Sequence, residues 1–404
     1  MELRLSSDHP ADDAAAAPET RPAAWGAVFA LSLGAFALVA SEFMPVSLLT
    51  PVAADLGISE GQAGQAISVS GAFALLTSLF MAPLAGRLDR KVLLLALTGM
   101  MIVSGTVAAF APNYTLFMVG RAFIGVAIGG FWSMSAATAM RLVPSEKVPR
   151  ALAILNGGNA LATVVAAPLG SYLGGVIGWR GAFFCLVPVA AVALAWKWLT
   201  LPAMRAEGAQ GAGAVFRLLG RPPIALGMAA VSLFFMGQFA LFTYLRPFLE
   251  NVTHAGVTTL SLLLLLVGVA GFVGTTLIGA FLKSHLYRTL TVIPLAMAGI
   301  GVALMLAGQS LGATAVLLGL WGLIATAAPV GWWTWLAQSL PRDAEAGGGL
   351  MVAVVQLAIA AGATLGGLLF DSRGYVATFS LSAAILVTAS VLALLAGHAA
   401  RRQG

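Results

Sequence analysis

Glu42 and Arg121 are the two residues from which intramembrane chemistry can be built. Glu42, in Ser41-Glu42-Phe43-Met44-Pro45, is the one carboxylate with long apolar stretches on both sides. Arg121 lies inside a second apolar run, in Gly120-Arg121-Ala122-Phe123-Ile124-Gly125. A lone acid in hydrocarbon is costly, so such a residue faces a cavity, a partner or a proton path. Hydrocarbon favours the neutral acid, whereas a permanently charged guanidinium favours the carboxylate. An acid balanced between the two changes state on a modest change in access, which is what a proton carrier does. The alternative is an ion pair that only pins two helices. Glu42 lies ~8 residues from the outer end of its run, or ~12 Å, and Arg121 ~6 residues into its own, or ~9 Å, so their depths match.

The elements that must carry these residues are membrane helices. Of 404 residues, 60% are hydrophobic and 9% charged, and the mean hydropathy is +0.96. Soluble domains carry about 25% charged residues, and a chain this poor in charge cannot build a water-facing surface. A bilayer is the matching solvent, and about 20 apolar residues span it as a helix. Twelve such runs are predicted, roughly 25–50, 62–85, 92–111, 115–140, 150–177 and 181–201, then 224–249, 258–282, 289–307, 312–338, 346–369 and 376–397. The fold class is therefore an all-α membrane protein of twelve transmembrane helices in two pseudo-symmetric six-helix bundles.

Other chemistries are excluded by residue type. The single cysteine, Cys185, allows neither an internal disulfide nor a thiol pair. His9, His254, His285 and His398 fall in tails or loops, so no metal site is expected. A polytopic membrane enzyme would need a nucleophile, base or metal cluster at one depth, and intramembrane acids and histidines are too few. The formal charge of +6 is spread over short loops, which speaks for topology rather than a nucleic-acid partner.

Those loops orient the chain. With the N-terminus inside, sixteen Lys and Arg lie on the cytoplasmic side, and only Arg180, Arg246 and Arg373 lie outside. Arg121 and Lys197 fall within helical runs. This bias predicts cytoplasmic termini and an even helix count in a bacterial-type inner membrane. Residues 1–24 are expected to be a disordered tail, and 202–223 a polar cytoplasmic linker between bundles 25–201 and 224–397, with a tail at 398–404. Duplicated halves joined by such a linker are a transporter plan, with the substrate held near the midplane. A channel or receptor fits that plan less well.

The loop after the second helix, Ala85-Gly86-Arg87-Leu88-Asp89-Arg90-Lys91, resembles that of the major facilitator superfamily, with Gly86 and Asp89 exchanging the usual Asp and Gly. The Arg121–Gly125 element is similar to that family's fourth-helix Arg-x-x-x-Gly. Ala166-Ala167-Pro168-Leu169-Gly170 is similar to the Gly-Pro element of its antiporters. The stretch 41–51 and Asp55–Gly61 resemble the twelve-helix drug/proton antiporters. Gly129–Ala136, Gly237–Ala240, Thr243–Pro247 and Pro329–Trp332 resemble the purine ribonucleoside efflux pumps among them. The resemblance implies export of purine ribonucleosides by proton antiport and alternating access, with Arg87, Asp89, Arg90, Pro168 and Gly170 in conformational roles. Broad drug, sugar or amino-acid-derivative efflux is the alternative on the same scaffold.

A nucleoside needs aromatic faces for its base and neutral amides for its edges. Trp132, Phe239, Tyr244 and Trp332 supply the first, and Asn156, Asn159, Gln238 and Gln356 the second. Each has an ordinary reading too, as an interfacial anchor or a helix–helix hydrogen bond. Only Glu42 and Arg121 are expected to be charged in the centre, which suits a small neutral substrate. Arg246-Pro247 closes the seventh helix and is a candidate gate. A monomer is expected, with no cofactor and the proton gradient as driving force.

Overall fold

The computed structural model describes residues 23–85, 88–204, 220–340 and 344–401. Ten apolar helical stretches among them are long enough to cross a bilayer. Eight make one crossing each: α1 (Trp25–Leu56), α2 (Glu60–Ala85), α3 (Arg90–Ala109) and α4 (Tyr114–Arg141), then α7 (Pro222–Asn251), α8 (Val257–Lys283), α9 (His285–Ala307) and α10 (Leu311–Ser339). The other two, Ser145–Thr200 and Gly347–Arg401, hold 56 and 55 residues. Laid straight, each would be roughly 80 Å long, far beyond a hydrocarbon core of about 30 Å. Gly178 (φ 76°, ψ 164°) and Gly374 (φ 75°, ψ −174°) break them with a backbone that a side chain disfavours. Beyond Gly374 the chain folds back, so that the Thr378 hydroxyl reaches the Gly366 carbonyl at 3.0 Å. This gives α5 (148–177), α6 (179–200), α11 (344–373) and α12 (375–401), and twelve crossings in all. Trp25 and Arg401 lie at the same end of the molecule, called the terminal end below; the opposite end is the distal end.

At several helix starts, small polar residues meet first amides that lack partners. Asp89 caps α3 through the Lys91 amide at 2.7 Å, and Asn113 caps α4 through the Leu116 amide at 2.9 Å. α1 stops at Gly57, which is left-handed at φ 63°. It runs six residues past the expected end at position 50, carrying Pro45 and Pro51 inside it. Membrane helices tolerate proline where neighbouring helices stabilise the bend. α12 continues to Arg401, beyond position 397. The expected tail at 1–24 and linker at 202–223 fall mostly outside the described residues.

Buried apolar side chains gather into two main clusters, one drawn from residues 27–204 and the other almost wholly from 224–393. They are the interiors of two six-helix bundles. The bundles meet along two equivalent seams, α2 against α11 and α5 against α8. In the second, the Ser261 hydroxyl donates to Ser171 at 3.0 Å. Every hydrogen bond found between the bundles among the described residues lies between the distal rim and the level of Glu42.

Candidate functional site

Glu42 sits in the middle of α1, 7% exposed. Its Oε1 accepts a hydrogen bond from the Gln356 amide of α11 at 3.3 Å. One bundle therefore supplies the acid and the other the donor that holds it. The Gln356 side-chain oxygen is buried without a partner, as is that of Gln238 on α7. Beside them, Phe43 of α1 stacks on Phe239 of α7 with centroids 5.8 Å apart, and Phe239 meets Phe242 edge-on at 6.2 Å. The centre thus offers an ionisable acid, two unmatched acceptors and aromatic faces.

Arg121 is 1% exposed and does not form the direct ion pair with Glu42 that matching depths suggested. Its guanidinium donates instead to the carbonyls of Ala66 (3.1 Å), Ser41 (2.8 Å) and Glu42 (3.3 Å), and to the Ser70 hydroxyl at 3.3 Å. The planar fork suits several acceptors at once. Pro45 explains one of them, because it has no N–H to offer the Ser41 carbonyl four residues earlier. Arg121 thus fixes the helix turn that carries the acid and places positive charge behind it.

The remaining candidates separate. Trp132 is half-buried beside Phe131, at 5.5 Å. Asn159 is half-buried on α5; Asn156 is exposed and returns its amide to Leu152 of the same helix at 2.9 Å. Tyr244 is fully buried, stacked on Phe370 at 5.2 Å, with its hydroxyl on the Ala363 carbonyl at 2.8 Å. It fills a notch between α2 and α11, which is a packing role. Trp332 is 2% exposed and lies in the second bundle's apolar core against Trp335 and Phe234, not at the centre.

Among the gating candidates, Asp89 accepts from the Met204 amide at 3.0 Å and caps α3, so it acts within the first bundle. Arg90 opens that helix, and its backbone N–H donates to the Met204 carbonyl at 3.1 Å. Arg87 lies outside the described residues. Pro168 and Gly170 are buried on α5, where a Cβ at Gly170 would crowd the Ser47 hydroxyl of α1. Arg246 crosses between bundles to the Ser47 carbonyl and also pairs with Glu250 at 2.8 Å. Pro247 is buried beside it.

Lys197, read from the sequence only as lying within a helical run, is a buried polar group of the first bundle. It is fully buried in α6, its ammonium 2.8 Å from the Thr98 hydroxyl and 5.0 Å from the centre of the Phe131 ring. Among the described residues no carboxylate pairs with it.

The comparisons with known proteins agree with this architecture. The profile of the Major Facilitator Superfamily matches residues 31–351. "Transcription regulatory protein OpdE" of Pseudomonas aeruginosa is 63% identical over 376 residues, 92% of this chain and 93% of that protein. "Purine ribonucleoside efflux pump NepI" of Salmonella typhimurium is 41% identical over 370 residues, 91% of this chain and 93% of that protein. The crystal structure of a bacterial homologue of the human lysosomal transporter Spinster, inward-facing and occupied, has a TM-score of 0.77 at 14% identity, covering 94% of this chain and 98% of its own. The human organic anion transporter MFSD10 gives 0.65 at 19%, covering 92% and 100%. At those identities the two structures speak for the fold alone. With its profile match, two six-helix bundles and a buried acid between them, the chain belongs to the Major Facilitator Superfamily and is a membrane transporter, not an enzyme.

Proposed function

We propose that this transporter exports purine ribonucleosides of the inosine and guanosine type, and their analogues, in exchange for protons. The observation that carries the reading is the Glu42 carboxylate, buried on one bundle and held by Gln356 of the other. Two relatives' worth of context supports the substrate: the 41% identical proteins are named purine ribonucleoside efflux pumps. Phe43, Phe239, Gln238 and Gln356 suit a flat base with hydrogen-bonding edges. The charge bias of the loops supports a cytoplasmic terminal end and an outward distal end, and an inner membrane is the setting this reading takes. A monomer suffices, because both bundles come from one chain, and the proton gradient serves as driving force without a cofactor.

The cycle follows from the contacts. With the distal side open, a proton neutralises Glu42. A neutral acid costs less to bury than a carboxylate, which favours the distal-closed state in which Gln356 reaches it. Release of that proton to the cytoplasm leaves a buried carboxylate, and substrate loaded from the terminal side drives the return. Substrate and proton drive the two states in opposite directions only through unequal affinity for them.

Uptake of labelled inosine into inside-out vesicles, with and without an acid interior, tests the reading. Gradient-dependent uptake that other purine nucleosides compete with is expected. Glu42→Gln should abolish the gradient dependence while nucleoside binding survives. Gradient-driven uptake of normal pH dependence in that variant would remove Glu42 from the role. No uptake with either gradient polarity would point to the broad drug, sugar or amino-acid-derivative alternative.

The name of the 63% identical relative favours a second reading, a part in transcription. A chain with 9% charged residues has little surface with which to meet DNA. Export of a small effector alters transcription without any such contact, so the two readings are compatible.

A further inference from the structure

We infer that Asp371 is the latch that holds the distal ends of the two bundles together. The inference rests on the chain's being an alternating-access transporter but not on its substrate. Asp371 lies near the distal end of α11, three residues before the Gly374 break. Its carboxylate reaches across to the first turn of α2, in the other bundle. Oδ2 accepts from the Ser59 hydroxyl at 2.5 Å, and Oδ1 from the Gly61 amide at 2.9 Å.

The receiving end is built for this. Ser59 and Gln62 form a reciprocal capping box: the Gln62 amide donates to Ser59 Oγ at 3.0 Å, and the Ser59 amide to Gln62 Oε1 at 3.0 Å. That pairing fixes the Ser59 hydroxyl and leaves its proton for Asp371. The Gly61 amide is one of the donors a helix start cannot satisfy internally, and the helix dipole favours negative charge at that point. Residue 61 must be glycine, because a Cβ there would strike both the Asp371 carboxylate and the Gly367 carbonyl. Charge-assisted hydrogen bonds are roughly twice as strong as neutral ones. Both break before the distal rims of α2 and α11 can separate. The deeper contacts of that seam, Ser68 on the Ala360 carbonyl at 3.0 Å and Thr364 on Ser68 at 2.8 Å, are neutral. Asp371 is therefore the charged hydrogen-bonding member of the α2–α11 seam, as Arg246 is of the contact between α7 and α1.

The test measures distance in the full chain, reconstituted in lipid nanodiscs. Cys185→Ser removes the native thiol, and spin labels at Thr115→Cys and Gln309→Cys report the separation of the distal rims of the two bundles. In Asp371→Ala the open-to-closed ratio should rise about threefold, as expected for loss of hydrogen bonds to a charged group at a solvent-exposed rim. Gly61→Ala, which wedges the same contact from the other helix, should move the ratio the same way. Ser59→Ala should do so to a smaller extent and, as the mildest change, keeps the test available if the others do not fold. Distance distributions matching the parent in the folded variants would overturn the latch. Inosine uptake, measured separately on the parent, decides the substrate; its failure beside a widened Asp371→Ala distribution would sink the nucleoside reading and leave the latch standing.

Discussion

Gln356 has one amide and two duties. Its nitrogen holds Glu42, and its oxygen is buried with nothing to accept from. A hydrogen bond to a charged group contributes about 1.5–3 kcal/mol, and each 1.4 kcal/mol is about tenfold in an equilibrium. Gln356→Leu should therefore cut gradient-driven uptake by roughly tenfold or more, with the protein still folded and monodisperse. Initial rates at a fixed gradient are the measurement, and an unchanged rate would separate Gln356 from coupling. At this scale the chain was partly legible. Glu42 and Arg121 stand out because charge in hydrocarbon is rare. That Arg121 would take backbone carbonyls could not be read, since a proline frees a carbonyl only for whichever donor the fold brings near. Lys197 was read only as lying within a helical run; a lysine three residues before a helix end normally reaches for water, but α6 turns this one inward to Thr98 and Phe131. Trp332 and Tyr244 were chosen for aromaticity, which does not distinguish a core from a cavity.

At the scale of the helix, α7 and α10 carry the same interruption. α7 breaks after Phe242 and resumes at Leu245, with Pro247 four residues beyond Thr243. α10 breaks after Ala325 and resumes at Ala328, with Pro329 four residues beyond Ala325. Each proline withdraws the amide that would have bonded that carbonyl, and its ring crowds it. The two breaks lie at different heights, toward the distal end of α7 and midway along α10. Either can act as a hinge that lets one half-helix tilt while the other stays packed. The double change Pro247→Ala and Pro329→Ala restores two backbone bonds at about 1 kcal/mol each. The expected result is an apparent melting temperature higher by a few degrees and a slower turnover. Faster or unchanged turnover would show that the breaks are only packing features. A change of course near Pro247 was expected, because Arg246-Pro247 was read as closing the seventh helix, but the break in α10 was not, and α1 runs on through Pro51 past the expected end at 50. The crossings themselves were legible, since a bilayer demands long apolar runs. The close helix approaches were not, because glycine alone does not say which neighbour it admits.

Taken whole, the molecule is two bundles joined by the Asp371 contact, the Arg246 guanidinium on the Ser47 carbonyl and a buried acid–amide link, with small neutral contacts beside them. This division lets the bundles rock without breaking their own cores. The relative named for transcription sets a test of its own. If regulation is a consequence of export, every effect on transcription passes through the Glu42 cycle. A strain lacking the chain should then show altered transcript levels, the parent chain should restore them, and Glu42→Gln, present in equal amount in the membrane, should not. Adding inosine, the proposed substrate, to the medium should reproduce the altered pattern in a parent strain able to take it up. The measurement is a transcript comparison across those strains with membrane levels checked by immunoblot. Full restoration by Glu42→Gln would mean that the chain signals through its surface rather than by flux. The short loops of the terminal end would then be the place to look for a partner, because the apolar faces of the twelve helices are committed to lipid and to each other.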